Sequence, residues 1–153
     1  MSFDIEEQYD KIYRYCYFKL HSRELAEDVT QETFLRYLEH YNCITTLSAL
    51  KYLYTIARNL CVDEYRKPRT ESMDESIPDY TMEDKLITNL TVRTALSKLA
   101  SDEQELLLLR YVNEVPVSVL VKIYGLSRFA IYRKIKSASN KFREELRKED
   151  YHG

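Results

Sequence analysis

Two glycines in 153 residues leave this chain few ways to fold. Sandwiches, barrels and nucleotide-binding α/β folds spend glycine on tight turns and phosphate loops. Only three prolines accompany them, so sharp turns are scarce altogether. Hydrophobic residues make up 44%, enough to build a core. The expected fold class is therefore all-α. Neither G-x-x-x-x-G-K nor G-x-G-x-x-G occurs, which excludes a phosphate-loop enzyme.

The chain reads as two helical modules. In the first, residues 1–67, Ile5, Tyr9, Ile12, Tyr13, Cys16 and Leu20 fall at helical spacing. Ser22 can cap a second helix whose apolar face is Leu25, Val29, Phe34 and Leu38. Thr45 or Thr46 can cap a third, running to about Lys67 before Pro68 stops it. Residues 68–88 carry Glu71, Asp74, Glu75, Asp79, Glu83 and Asp84 against Arg69 and Lys85, and read as a flexible acidic linker. The second module, residues 89–153, contains a capping box of Ser101 with Gln104, a buried helix over EQELLLLRYV, and Pro116 in the first turn of the next helix.

Ser127 to Arg143 holds Arg128, Arg133, Lys134, Lys136, Lys141 and Arg143 and no acidic residue, in a protein of net charge −2. Gly125 sits two residues ahead of Ser127, and another helical pattern precedes it. A helix, a glycine turn and a Ser-capped basic helix make a helix-turn-helix. Leu120, Ile123 and Tyr124 are expected to meet Leu126, Ile131 and Ile135 in its core. Arg128, Phe129, Tyr132, Arg133 and Lys136 then face outward, where cations neutralise phosphate and Arg and Tyr reach base edges. A solvated basic face carries the same charges, but the cap and the glycine turn favour DNA.

Elsewhere Asp28, Gln31 and Glu32 share one helical stripe interrupted by Phe34, which reads as a docking face for a basic partner or as a plain solvated helix. The segment from Lys51 to Lys67 interleaves Tyr52, Tyr54 and Tyr65 with Arg58, Arg66 and Lys67, a pattern suited to single-stranded nucleic acid, though taken alone it reads better as core tyrosines with solvated cations. Cys16, Cys43 and Cys61 lack metal or disulfide spacing, and His21, His40 and His152 are scattered. No metal, cofactor or catalytic group is expected, nor an enzyme. The acidic N-terminus and the absence of a long apolar run point to a cytoplasmic protein without membrane insertion.

These segments together carry a resemblance. AEDVTQETFLRYLEHY followed by ALKYLYTIARNLCVDEYRK resembles region 2 of the extracytoplasmic-function sigma factors of bacterial RNA polymerase. LSKLASDEQELLLLRYVNEVPVSVLVKIYGLSRFAIYRKI resembles their region 4. The resemblance implies that Asp28, Gln31, Glu32 and Phe34 dock on the β′ coiled coil. It implies that Tyr52, Arg58, Asn59, Asp63 and Arg66 read and melt the −10 element, with the 41–48 loop forming a pocket for a flipped base. Ser127, Arg128, Tyr132, Arg133, Lys134 and Lys136 are implied at the −35 element, and the helix at Leu106–Leu109 beneath the β flap. Core polymerase and promoter DNA are the implied partners, with an anti-sigma factor as a further one. The chain departs from the family pattern at Tyr52, which replaces a Trp, and at Val121, which replaces a small residue. Ser137 and Ser139 stand where arginines are common, which implies fewer phosphate contacts. The competing reading is a stand-alone helix-turn-helix regulator of duplex DNA, which has no use for the segment around Asn59.

Overall fold

The computed structural model describes residues 4–40, 45–67 and 90–152, with side chains to residue 148. The expected linker at 68–88, the first half of the 41–48 loop and Cys43 lie outside the described residues. The chain forms two compact units, residues 1–83 and 84–153. Every regular element among the described residues is helical, in agreement with the all-α expectation.

The first unit packs three helices against one another: α1 (Ile5–Leu20), α2 (Arg23–His40) and α3 (Thr46–Arg66). Each start is set by a side-chain acceptor for otherwise unpaired backbone N–H groups. Asp4 Oδ1 accepts from Glu6 N at 3.0 Å and Glu7 N at 3.3 Å. Ser22 Oγ accepts from Leu25 N at 3.2 Å, and Thr45 Oγ1 from Ser48 N at 3.1 Å. The turn between α1 and α2 is made by His21, whose φ of 55° is left-handed and whose N–H closes on Tyr17 O at 2.8 Å. Tyr15 and Tyr54 meet edge-on at 6.0 Å in the core, so Tyr54 is a packing residue and not part of an exposed aromatic–cation pattern.

The buried face of α2 differs from the one its hydrophobicity suggests. Ala26, Val29, Thr30, Thr33, Phe34 and Tyr37 are buried, whereas Leu38 is 65% exposed and Leu35 55%. The core face of α2 takes in two threonines, whose hydroxyls bond their own helix, and this rotates Leu38 into solvent. Phe34 therefore packs inward on Tyr9, ring centroids 5.3 Å apart.

In the second unit, α4 (Leu90–Ser97), α5 (Ser101–Leu107) and α6 (Val117–Tyr124) all pack on the long α7 (Arg128–His152). Helix α5 begins at Ser101, so Ala100 occupies the cap and offers no side-chain acceptor. The expected Ser101–Gln104 box is thus displaced by one residue. Glu103 Oε1 accepts the Ala100 N–H at 3.0 Å, and Gln104 Nε2 turns back to donate to Leu99 O at 3.0 Å. The run Leu106–Leu109 is buried, and α5 widens into a π turn over Leu108–Val112, where Asn113 N–H reaches Leu108 O at 2.9 Å. Pro116 caps α6 from just outside it, its carbonyl accepting from Val119 N at 3.0 Å and Leu120 N at 3.1 Å.

Candidate nucleic-acid interface

The helix-turn-helix is built from α6, the turn at Gly125 and α7. Gly125 has φ +65°, and its N–H bonds Val121 O at 2.9 Å, ending α6. Two residues later Ser127 Oγ accepts Ala130 N–H at 3.1 Å and starts α7. Leu120, Ile131 and Ile135 are buried and Ile123, Tyr124 and Leu126 half-buried here, while Ala138 packs with Leu99 and Leu107. Tyr124 also donates from its hydroxyl to Oε1 of the buried Glu105 at 2.5 Å, tying the end of α6 to α5.

The cations of α7 divide into two groups. At about 100° per residue, Phe129, Arg133 and Lys136 form one stripe opposite Ile131, Ile135 and Ala138. Tyr132 borders it and Arg128 lies about 80° to its side, and all five are exposed. Lys134 lies on another side of the helix, its Nζ 3.9 Å from Asp102 Oδ2. Lys141 Nζ is 2.7 Å from Glu103 Oε2. That hydrogen bond, joined by the Ala100 N–H, holds the Glu103 carboxyl below its ordinary value and raises the Lys141 ammonium above its own. Lys134 is exposed and within ion-pair range of Asp102, off the stripe of Phe129, Arg133 and Lys136.

On α3, Tyr52, Asn59, Asp63 and Arg66 fall within about 60° of one another around the helix. Asn59, Asp63 and Arg66 are exposed and Tyr52 is half-buried, with Lys51 Nζ 4.8 Å over its ring. Arg58 does not join them: it is half-buried and turned about 100° from Asn59. At the end of the helix Lys67 Nζ pairs with Glu64 Oε2 at 2.6 Å, a hydrogen bond that raises the Lys67 ammonium above its usual range.

On α2, Asp28 and Gln31 are exposed, and Glu32 accepts from Arg36 Nε at 2.8 Å. Phe34, expected on this surface, is only 8% exposed and faces the core. Its place outside is taken by Leu35 and Leu38, which continue the stripe of Asp28 and Gln31 at helical spacing. Among the described residues no cluster of three or more His, Cys, Asp or Glu side chains could hold a metal ion. No described helix is long and apolar enough to cross a membrane.

Residues 5–71 match the family model of sigma-70 region 2. Over 92% of its length the chain is 28% identical to the ECF RNA polymerase sigma factor BldN of Streptomyces coelicolor, of which it spans 60%. It is 26% identical to the ECF RNA polymerase sigma factor SigW of Bacillus subtilis, covering 94% of this chain and 88% of that one. The chain carries a sigma-70 region 2 domain and is similar to extracytoplasmic-function sigma factors. The fold of the sigma factor RpoE, solved with the anti-sigma factor NepR from Bartonella quintana, matches with a TM-score of 0.63 at 19% identity, over 91% of each chain. The region 2 match takes in α1, α2 and α3 of this chain, and so contains both the α2 and the α3 faces. The residues that sequence reasoning misplaced on these faces are Phe34 and Arg58. Leu35, not singled out in the sequence, and Leu38, expected on the apolar face of α2, are the exposed residues seven and ten positions after Asp28.

Proposed function

We propose that this chain is a sigma factor that directs core RNA polymerase to promoters, with its first unit binding polymerase and the −10 element and its second binding the −35 element. The observation that carries the reading is the α3 stripe of Tyr52, Asn59, Asp63 and Arg66. A regulator confined to duplex DNA needs no such exposed face beside a separate helix-turn-helix. Tyr52 offers a ring for stacking, while Asn59, Asp63 and Arg66 offer donors and acceptors to an unpaired base. Flipping a base costs a few kcal/mol of unstacking, and these contacts offset it. The protein supplies binding energy for the open promoter and the polymerase performs the chemistry.

Polymerase docking falls to the exposed side of α2. Asp28 and Gln31 present polar groups to a basic partner, and Leu35 and Leu38 supply the apolar area that fixes it. In the second unit α7 enters the major groove through Arg128, Tyr132, Arg133 and Lys136. Regulation by an anti-sigma factor and a cytoplasmic location accompany this reading.

The test is promoter-specific transcription with purified core polymerase and the full chain. Initiation from a selected promoter, absent with core alone, is the expected result. Binding of DNA without any association with core enzyme would remove the reading in favour of a stand-alone regulator. Within the same assay Asn59→Ala is expected to form closed complexes normally and to lose permanganate reactivity of the −10 thymines. Unchanged reactivity would take Asn59 out of promoter opening.

A further inference from the structure

Phe129 is 80% exposed, more than any other large hydrophobic side chain among the described residues. It stands in the first turn of α7, where the Ser127 cap fixes the start of the helix. It packs into neither the helix-turn-helix core nor the α5 contact that holds Lys134. A phenyl ring left in water is unfavourable, so its place on the groove-facing stripe with Arg133 and Lys136 calls for an occupant. The flanking charge selects that occupant. No acidic residue occurs between Ser127 and Arg143, and Arg133 and Lys136 share the stripe of the ring. A polyanion with an apolar group at groove depth fits such a surface. In the major groove of DNA, that group is the thymine C5-methyl.

We propose that Phe129 is a specificity residue that reads a thymine methyl group in the upstream promoter element. The proposal rests on the reading that α7 lies in the major groove, where N-terminal residues of a recognition helix meet base edges. The cations on either side hold the phosphates, and the ring then covers one methyl. Tyr132, one turn on and 51% exposed, borders the same contact.

The experiment uses the full chain with core polymerase on promoter duplexes selected by that holoenzyme. Each upstream thymine is replaced singly by deoxyuridine, which keeps the hydrogen-bonding edge and removes only the methyl. One replacement is expected to weaken binding by about fourfold, the effect of one buried methyl-sized group. Phe129→Ala is expected to bind the thymine and deoxyuridine duplexes equally at that position, and Phe129→Leu to recover part of the preference. The ring is exposed, so neither substitution disturbs the core. The proposal is overturned if no replacement matters to a holoenzyme that still footprints the upstream element. It is equally overturned if Phe129→Ala keeps the preference, or lowers affinity for core or another protein while DNA binding is unchanged. A wild-type holoenzyme with no upstream footprint removes the groove reading itself, and the proposal with it.

Discussion

Thr30 and Thr33 are fully buried in α2, yet neither leaves a polar group unpaired. Thr30 Oγ1 donates to Ala26 O at 2.6 Å, and Thr33 Oγ1 to Val29 O at 2.7 Å. With the hydroxyls satisfied inside their own helix, the methyl groups pack as core. That choice sets the rotation of α2 and decides which neighbours are free to bind. Phe34→Ala should therefore cost about 3–5 kcal/mol of stability, measured by denaturant unfolding. Leu35→Ala and Leu38→Ala should stay within about 0.5 kcal/mol of wild type and weaken binding to core polymerase several-fold. A large stability loss from Leu38→Ala would contradict the α2 surface described. The Asp28–Gln31 stripe was legible because polar residues at helical spacing face water in most packings. The swap between Phe34 and Leu38 was not. Threonine counts as polar in a hydropathy pattern, and only the packed helix shows its hydroxyl turned onto its own backbone.

Helix ends were the most readable elements. Ser22, Thr45 and Ser127 each precede an apolar-periodic run, and a hydroxyl there has few other uses. The start of α5 was harder because two overlapping patterns compete, and the true cap, Ala100, has no side-chain signal. The π turn at Leu108–Val112 had none either, since four consecutive leucines are compatible with any register. Gly125 is the position where an element boundary depends on one residue. A Cβ there meets no atom within 4 Å, so substitution is opposed by backbone conformation alone. Gly125→Ala should destabilise the second unit by about 1 kcal/mol. Gly125→Asn should cost less, because asparagine tolerates the left-handed region. Thermal unfolding of the two variants side by side tests this order, and equal losses would mean that crowding, not φ, is the constraint.

Across the molecule the acidic surplus is partly spent on the protein's own cations. Glu103 is held below its ordinary value by Lys141 and the Ala100 N–H. Its stabilising effect is present above the unfolded value near pH ~4.3 and is lost as pH falls through the depressed folded value. Glu103→Gln should flatten that acid-side decline in unfolding curves, leaving a smaller pH slope than wild type. An unchanged slope would assign acid sensitivity to other carboxylates. The two-module organisation was legible from charge and helix order, but the partition of the basic helix was not, because it depends on which side of α7 meets α5. That partition reaches into the ionic atmosphere of DNA. Each cation that neutralises a phosphate displaces condensed counterions, and the logarithm of affinity falls with the logarithm of salt by about 0.9 per contact. Lys134 and Lys141 already face Asp102 and Glu103, which leaves Arg128, Arg133, Lys136 and Arg143 to set that steepness. Asp102→Asn, by releasing Lys134 toward a phosphate, should steepen the dependence by about one contact. In this helix the carboxylates of a neighbouring helix already act as resident counterions.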